Sequence, residues 1–221
     1  MTPADIVTYA RAKYNATGDT FFSDAEIWYY IYQAELELSN EIPGIIQAYT
    51  TMPAVAGTRQ YAFPSNVRMI KRIECVNASG TAVKLEPITF REDDALTLVN
   101  VASTTLGSPQ FYEVFNFNLY LRPIPDTSYT LNIYSYNEPA VITSGTQVLE
   151  IPSSFHMDIC DFVVMHMYLK DKDVASAAAY KALWDATKSR AKRWVQKNKR
   201  GDAYTIVMNE DNLAVTLTGP V

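Results

Sequence analysis

The sequence changes its hydrophobic pattern twice, and this change constrains the fold more than any other feature. Up to about residue 49, and again over residues 152–200, apolar residues recur every three or four positions, which predicts helices. Residues 50–151 instead contain short runs of β-branched and aromatic residues between turn residues, which predicts strands. Helices separated by so long a β segment have to pack on one another to bury their apolar faces.

We therefore predict an α+β protein, mainly an α-helical bundle of about four helices, with an antiparallel β-sheet module inserted in its middle. The bundle takes residues 1–49 and 152–200, and the inserted β module takes residues 50–151. Residues 201–221 are predicted to form an extended C-terminal tail. The last 20 residues have no Lys or Arg and contain several β-branched residues, which favour an extended backbone.

Capping residues mark the first two helices. Thr2, Pro3 and Asp5 have the order of a capped first turn, and Ser23 with Glu26 has the spacing of a capping box. The helix that follows Ser23 has one predicted apolar face, formed by Ile27, Ile31, Ala34 and Leu38. The helix that begins near residue 153 has the predicted apolar stripe Phe155, Ile159, Phe162, His166 and Leu169.

Seven strands are predicted in the β module, over residues 60–63, 67–76, 83–86, 110–115, 119–122, 129–136 and 148–151. Asn116, Phe117 and Asn118 are predicted to form a hairpin turn between two of them. Residues 123–126 form the next bend, because proline fixes its own backbone and lacks a hydrogen-bond donor. Residues 91–105 show the least regular pattern and are predicted to form a loop or a short helix.

The charges are distributed unevenly along the chain. Residues 170–200 contain ten Lys and Arg against three Asp, a net charge of +7. The other 190 residues contain nine Lys and Arg against 21 Asp and Glu, a net charge of −12. A basic helix on an acidic body predicts contact with an acidic surface, which could belong to nucleic acid, another protein or a second copy of this chain.

Candidate partner-binding residues lie at the end of the basic helix and in the tail. They are Lys188, Lys192, Arg193, Trp194, Lys197, Lys199, Arg200, Tyr204, Ile206 and Val207. The helix end is open to three interpretations: a nucleic-acid site, an acidic protein partner, or a solvated face whose cations the helix dipole favours. The tail is open to two, strand addition to another chain or a disordered terminus.

Sequence motifs of common enzymes are missing. There is no Gly-x-Ser-x-Gly elbow, no phosphate-binding glycine loop and no Gly-x-Gly-x-x-Gly. His156 and His166 point in different directions on one predicted helix, and Cys75 and Cys160 do not form a Cys-x-x-Cys pair. We predict no enzyme, no metal site and no cofactor. No apolar run approaches about 20 residues, so we expect a soluble protein without a membrane span.

Five segments resemble a known family. They are FPSNVRMIKRIE (63–74), GSPQFYE (107–113), LYLRPIPD (119–126), residues 129–139 and LEIPSSFH (149–156). Together, over about residues 4–200, the chain resembles the head-to-tail adaptor proteins of tailed bacteriophages, which are also called head-completion or connector proteins.

The resemblance implies a structural virion protein at the head–tail junction, made in the cytoplasm of the host bacterium. Its implied partners are the portal protein, a downstream tail or nozzle protein, and further copies of the same chain in a ring, commonly a dodecamer. DNA would pass through the ring without sequence-specific binding, and the 188–200 helix with the 204–221 tail would reach the portal. Two alternatives remain open: a nucleic-acid-binding protein that uses helix 188–200, and a receptor- or carbohydrate-binding β module.

Overall fold

The computed structural model describes residues 1–16, 18, 21–89, 91–92, 105–200, 205–208 and 215–218, with backbone alone for residues 199–200 and the last two segments. The chain forms two compact units. Residues 1–45 and 139–221 make one, which we call the helical unit, and residues 46–138 make the other, which we call the β unit. The most irregular predicted stretch, 91–105, falls mainly outside the described residues.

The helical unit is built around one central helix. Its described helices are α1 (Pro3–Tyr14), α2 (Asp24–Glu41), a short 3₁₀ turn (Ser153–Phe155), α3 (His156–Lys170) and α4 (Val174–Arg200). Helix α3 contacts each of the other three helices. A helix that packs against three others buries more than one stripe of its surface. The single stripe predicted for α3 is therefore wrong: Val163 and Val164 are buried as well, while Leu169 is exposed.

The predicted helix starts are confirmed. The Thr2 side chain accepts a hydrogen bond from the Asp5 N–H, and the Thr2 N–H donates to the Asp5 carboxylate. At the start of α2, the Ser23 hydroxyl accepts from the Glu26 N–H at 3.2 Å. The predicted apolar face of α2 is also confirmed, because its four members are fully buried: Ile27, Ile31, Ala34 and Leu38.

The described part of the β unit contains ten strands in three sheets. The first sheet has the order β1-β10-β3-β4, the second β2-β8-β7-β5, and β6 pairs with β9. The strands are β1 (Gln47–Ala54), β2 (Gln60–Ala62), β3 (Val67–Val76), β4 (Ala82–Lys84), β5 (Glu86–Pro87), β6 (Leu106–Gly107), β7 (Phe111–Phe115), β8 (Asn118–Arg122), β9 (Ile124–Pro125) and β10 (Tyr129–Asn137). Their core includes the fully buried residues Ile73, Leu119, Leu121, Leu131 and Ile133.

The predicted turn between β7 and β8 is confirmed. Asn116 and Phe117 both have positive φ, 47° and 57°. Phe115 pairs with Asn118, so these two residues alone connect the strands. Two-residue turns of this left-handed kind match the twist of antiparallel strands.

Three expectations about the fold are wrong. The chain is not mainly a helical bundle, since 41% of it is helical and 27% is strand. The module is not wholly antiparallel, because β5 pairs with β7, and β6 with β9, in parallel. Residues 148–151 form no strand, since the backbone N–H groups of Glu150 and Ile151 donate to the buried Glu35 carboxylate of α2.

The described parts of the C-terminal tail are extended. Strands β11 (Thr205–Met208) and β12 (Val215–Thr218) pair antiparallel, with Ile206 opposite Leu217 and Val207 opposite Thr216. Ile206 and Val207 are two of the predicted partner-binding residues, and their role in binding stays a prediction. Tyr204 lies outside the described residues.

Candidate interaction surface

Lys188, the first residue of the predicted basic site, lies between α4 and α2. Its Nζ is 2.8 Å from Glu37 Oε1, 3.0 Å from Glu41 Oε1 and 3.1 Å from Asp185 Oδ1. Burial alone disfavours the charged amine, but the three carboxylates outweigh burial, and the pKa of Lys188 is raised. The Lys188 charge is therefore compensated within the chain, where it holds α4 against α2.

Two neighbouring cations of α4 are also paired within the helical unit. Lys192 Nζ lies 3.3 Å from Glu41 Oε2. The Arg190 guanidinium forms an ion pair with Asp158 of α3 and lies 5.3 Å from the centre of the Phe155 ring. The formal charge of +7 on residues 170–200 thus overstates the positive charge that this helix presents to a partner.

The tryptophan of the basic run contributes to packing. Trp194 is half-buried, and its ring centre lies 5.9 Å from that of Phe155 in a perpendicular arrangement. Such edge-to-face contacts stabilise aromatic pairs beyond the area they bury. Trp194 therefore helps to fix the helix end on the 3₁₀ turn before α3.

Arg193 and Lys197 are two exposed cations of the predicted site. They are four residues apart on α4, so they share one face of the helix. Within the described part of the chain, neither side chain has an ion-pair partner. The side chains of Lys199 and Arg200 lie outside the described residues. The structure thus brings Arg193 and Lys197 together at the surface, with half-exposed Lys192 beside them.

The tip of the β7–β8 hairpin forms a second exposed surface, which we did not predict from the sequence. Val114, Phe115 and Phe117 are all exposed there, and Phe117 keeps 65% of its surface accessible. The Phe117 carbonyl accepts from the Phe63 N–H at 2.8 Å, and the Asn118 side chain donates to the Asn116 carbonyl at 2.9 Å. The signal in the sequence is a turn that carries Phe where Gly or Asn is usual.

The helical unit also carries a groove lined by aromatic and acidic side chains. It has a volume of about 480 Å³, and its lining includes Tyr29, Tyr30, Glu37 and His166. His166 stacks on Tyr30 with ring centres 5.0 Å apart, and burial lowers the pKa of His166. A stacked histidine packs like an aromatic residue, so His166 contributes to the shape of this groove.

The cysteines and histidines that we considered for catalysis or metal binding lie in environments that do not favour such chemistry. Burial raises the pKa of both thiols, Cys75 and Cys160, to about 11, which suppresses the reactive thiolate. His156 Nε2 lies 2.9 Å from the Ile151 carbonyl oxygen. Among the described residues, no three His, Cys, Asp or Glu side chains are grouped closely enough to hold a metal ion.

The helices that the structure describes include none that is both long and apolar enough to span a bilayer.

Comparison with known proteins places the chain in a family. The model of the SU10 adaptor protein family matches residues 1–207, which include the whole β unit and helices α1 to α4. No curated protein matches the chain. The family match covers more than nine-tenths of the sequence and agrees with the resemblance to phage head-to-tail adaptors. The chain therefore belongs to the SU10 adaptor protein family, a family of phage structural adaptors.

Proposed function

We propose that this protein is a virion component at the head–tail junction of a tailed phage. Copies of the chain form a ring that docks under the portal protein, provides the attachment platform for the tail, and lets DNA pass. The observation that carries this proposal is the adaptor family match over residues 1–207. In this role the protein acts through its surfaces and catalyses no reaction.

The end of α4 is the proposed portal contact. A helix of 27 residues is about 40 Å long, so its C-terminal end can reach well away from its start. The exposed Arg193 and Lys197 carry charge at that end that no described side chain compensates, and the described strand Thr205–Met208 follows in the sequence. The proposed portal surface is acidic, because an acidic surface complements these two cations.

The net charge of the subunit supports passage of DNA through the ring. The formal charge is −5, and the cations Lys188, Arg190 and Lys192 are paired with carboxylates of the same chain. Tight phosphate binding needs uncompensated cations, because it depends on neutralising several phosphates at once. A net-negative subunit therefore favours DNA that slides through the ring without being bound tightly.

The test is a charge reversal, Arg193→Glu combined with Lys197→Glu. Both side chains are exposed, so thermal unfolding of the variant should match that of the wild type. We expect loss of binding to the cognate portal in a sizing assay and loss of incorporation into virions. The matched control is Arg193→Lys with Lys197→Arg, which keeps both charges and should keep binding.

Two outcomes would contradict the proposal. Normal portal binding and virion incorporation by the charge-reversed variant would show that the α4 end is not the contact. Tight binding of DNA by the wild type, with a steep salt dependence that the reversal abolishes, would favour the nucleic-acid alternative instead.

A further inference from the structure

The tip of the β7–β8 hairpin carries apolar side chains that the β unit does not use for its own core. Phe117 is 65% and Phe115 55% exposed, and Val114 beside them is exposed too. Exposed aromatic residues that cluster on a rigid element are typical of protein–protein contacts. The backbone of this tip is held by the Phe63 and Asn118 hydrogen bonds, so it is already ordered before any contact forms.

The turn conformation is unfavourable for the residue that occupies it. Phe117 has a φ of 57°, a left-handed value that glycine adopts freely and that a bulky residue adopts at a cost. Phe117 neither lowers the conformational cost of the turn nor packs into the core of the β unit. This combination points to a role for the exposed ring outside its own subunit.

A complementary hollow lies in the helical unit, at the corner between α3 and α4. It has a volume of about 160 Å³, and the side chains around it are Met165, Leu169, Val174, Ala177, Ala178 and Lys181. Apart from the Lys181 amine, this lining is apolar. Leu169 and Val174 are 45% and 68% exposed, so the hollow is open to a partner. An apolar cavity of about 150 Å³ is large enough for a benzene ring.

We infer that the Phe117 ring of one copy docks into the α3–α4 hollow of the next copy in the ring. This inference rests on the proposed function, since it names a contact between the copies of the proposed ring. A protrusion and a hollow at different places on one chain make a head-to-tail contact, and repeated head-to-tail contacts close into a ring when the rotation allows.

Charged side chains lie at the edge of the apolar hollow. Lys172 lies in the turn between α3 and α4, next to the hollow, and its amine has no ion-pair partner among the described residues. Lys181 is part of the lining. A polar rim around an apolar centre is the usual anatomy of a protein interface.

The central experiment replaces Phe117 by Gly. Glycine suits the left-handed turn, so Phe117→Gly should leave the β unit folded and at least as stable as the wild type. We expect self-association, measured by sedimentation with and without the cognate portal, to weaken at least about tenfold, as for loss of an aromatic interface anchor. The control is Val148→Ser, which removes an exposed apolar side chain from another loop and should not change assembly.

A second variant tests the hollow independently. Val174→Asp places a charge in the lining at an exposed position that tolerates it, and should weaken assembly as Phe117→Gly does. Mixing Asn116→Cys protein with Ala178→Cys protein should give a disulfide between copies, while either variant alone should not. The native Cys75 and Cys160 are buried and should contribute little background.

The outcomes separate this inference from the proposed function. If the wild type assembles and Phe117→Gly and Val174→Asp assemble equally well, the named contact is wrong, although the ring proposal stands. If Phe117→Gly loses assembly but Val174→Asp and the cross-link show no contact at the hollow, the tip binds another occupant and the inference is overturned. If the wild type stays monomeric even with its portal, both proposals are wrong.

Discussion

Replacing Glu35 by Gln should change how the stability of the helical unit depends on pH. Glu35 lies on the buried side of α2 and is 1% exposed. Its Oε1 accepts hydrogen bonds from the N–H groups of Glu150 at 2.9 Å and Ile151 at 3.3 Å. Burial raises the pKa of this carboxyl to about 7, although the two N–H groups oppose that rise.

The size of the effect follows from the difference between the folded and unfolded pKa. From an ordinary value of 4.5 to about 7, the difference corresponds to about 3 kcal/mol. Because the folded pKa is the higher one, this stabilisation is complete below pH 4.5 and is lost as the pH rises through 7. Gln stays neutral at every pH and keeps a carbonyl acceptor for the two N–H groups. Relative to the wild type, Glu35→Gln should therefore gain up to about 3 kcal/mol between pH 4.5 and pH 8.

Tryptophan fluorescence during urea unfolding measures this quantity in the helical unit. The chain has three tryptophans, Trp28, Trp184 and Trp194, and all of them belong to that unit. Unfolding free energies of wild type and variant are compared at several pH values between 4.5 and 8.

The control for Glu35→Gln is Glu26→Gln. Although burial alone would raise its pKa, the Lys170 and Tyr30 contacts lower the pKa of Glu26. The stabilisation from Glu26 is therefore present above pH 4.5 and lost only in acid, so the difference between Glu26→Gln and the wild type should stay nearly constant between pH 4.5 and pH 8. A difference between wild type and Glu35→Gln that stays constant with pH would refute the account of Glu35.

Three further predictions address stability and reactivity. Lys188→Met should destabilise the helical unit by about 1–2 kcal/mol, which is less than for a fully buried ion pair because the carboxylate partners are partly exposed. Lys181→Met should change the free energy of unfolding by under about 0.5 kcal/mol. Equal urea midpoints for the two variants would argue against this difference. Leu131→Ala should destabilise the β unit by about 2–5 kcal/mol, measured by hydrogen exchange of its strands, and normal protection would contradict its place in the core. Cys75 and Cys160 should react slowly with a thiol reagent at pH 8 and quickly after unfolding, whereas rapid native labelling would rule out the buried, high-pKa thiols.

Local signals in the sequence predicted the local structure well. The capping residues Thr2 and Ser23, the buried face of α2 and the turn at Asn116 were predicted, because each depends on residues within about four positions. The family resemblance was also found from the sequence, since it depends on the order of turns, prolines and aromatic residues. Strand β1 (Gln47–Ala54) was not predicted, because its pairing partner β10 lies some 80 residues further along the chain.

Only the tertiary structure decided which predicted site residues face a partner. The count of charges made Lys188 and Arg193 equivalent. Folding brings Glu37 to Lys188 across 151 positions in the sequence, whereas no described acid reaches Arg193. In the same way, Glu35 holds residues 150 and 151 in a loop that their composition predicts as a strand. Backbone conformation is set largely by neighbours along the chain, but exposure and charge compensation are set by neighbours in space.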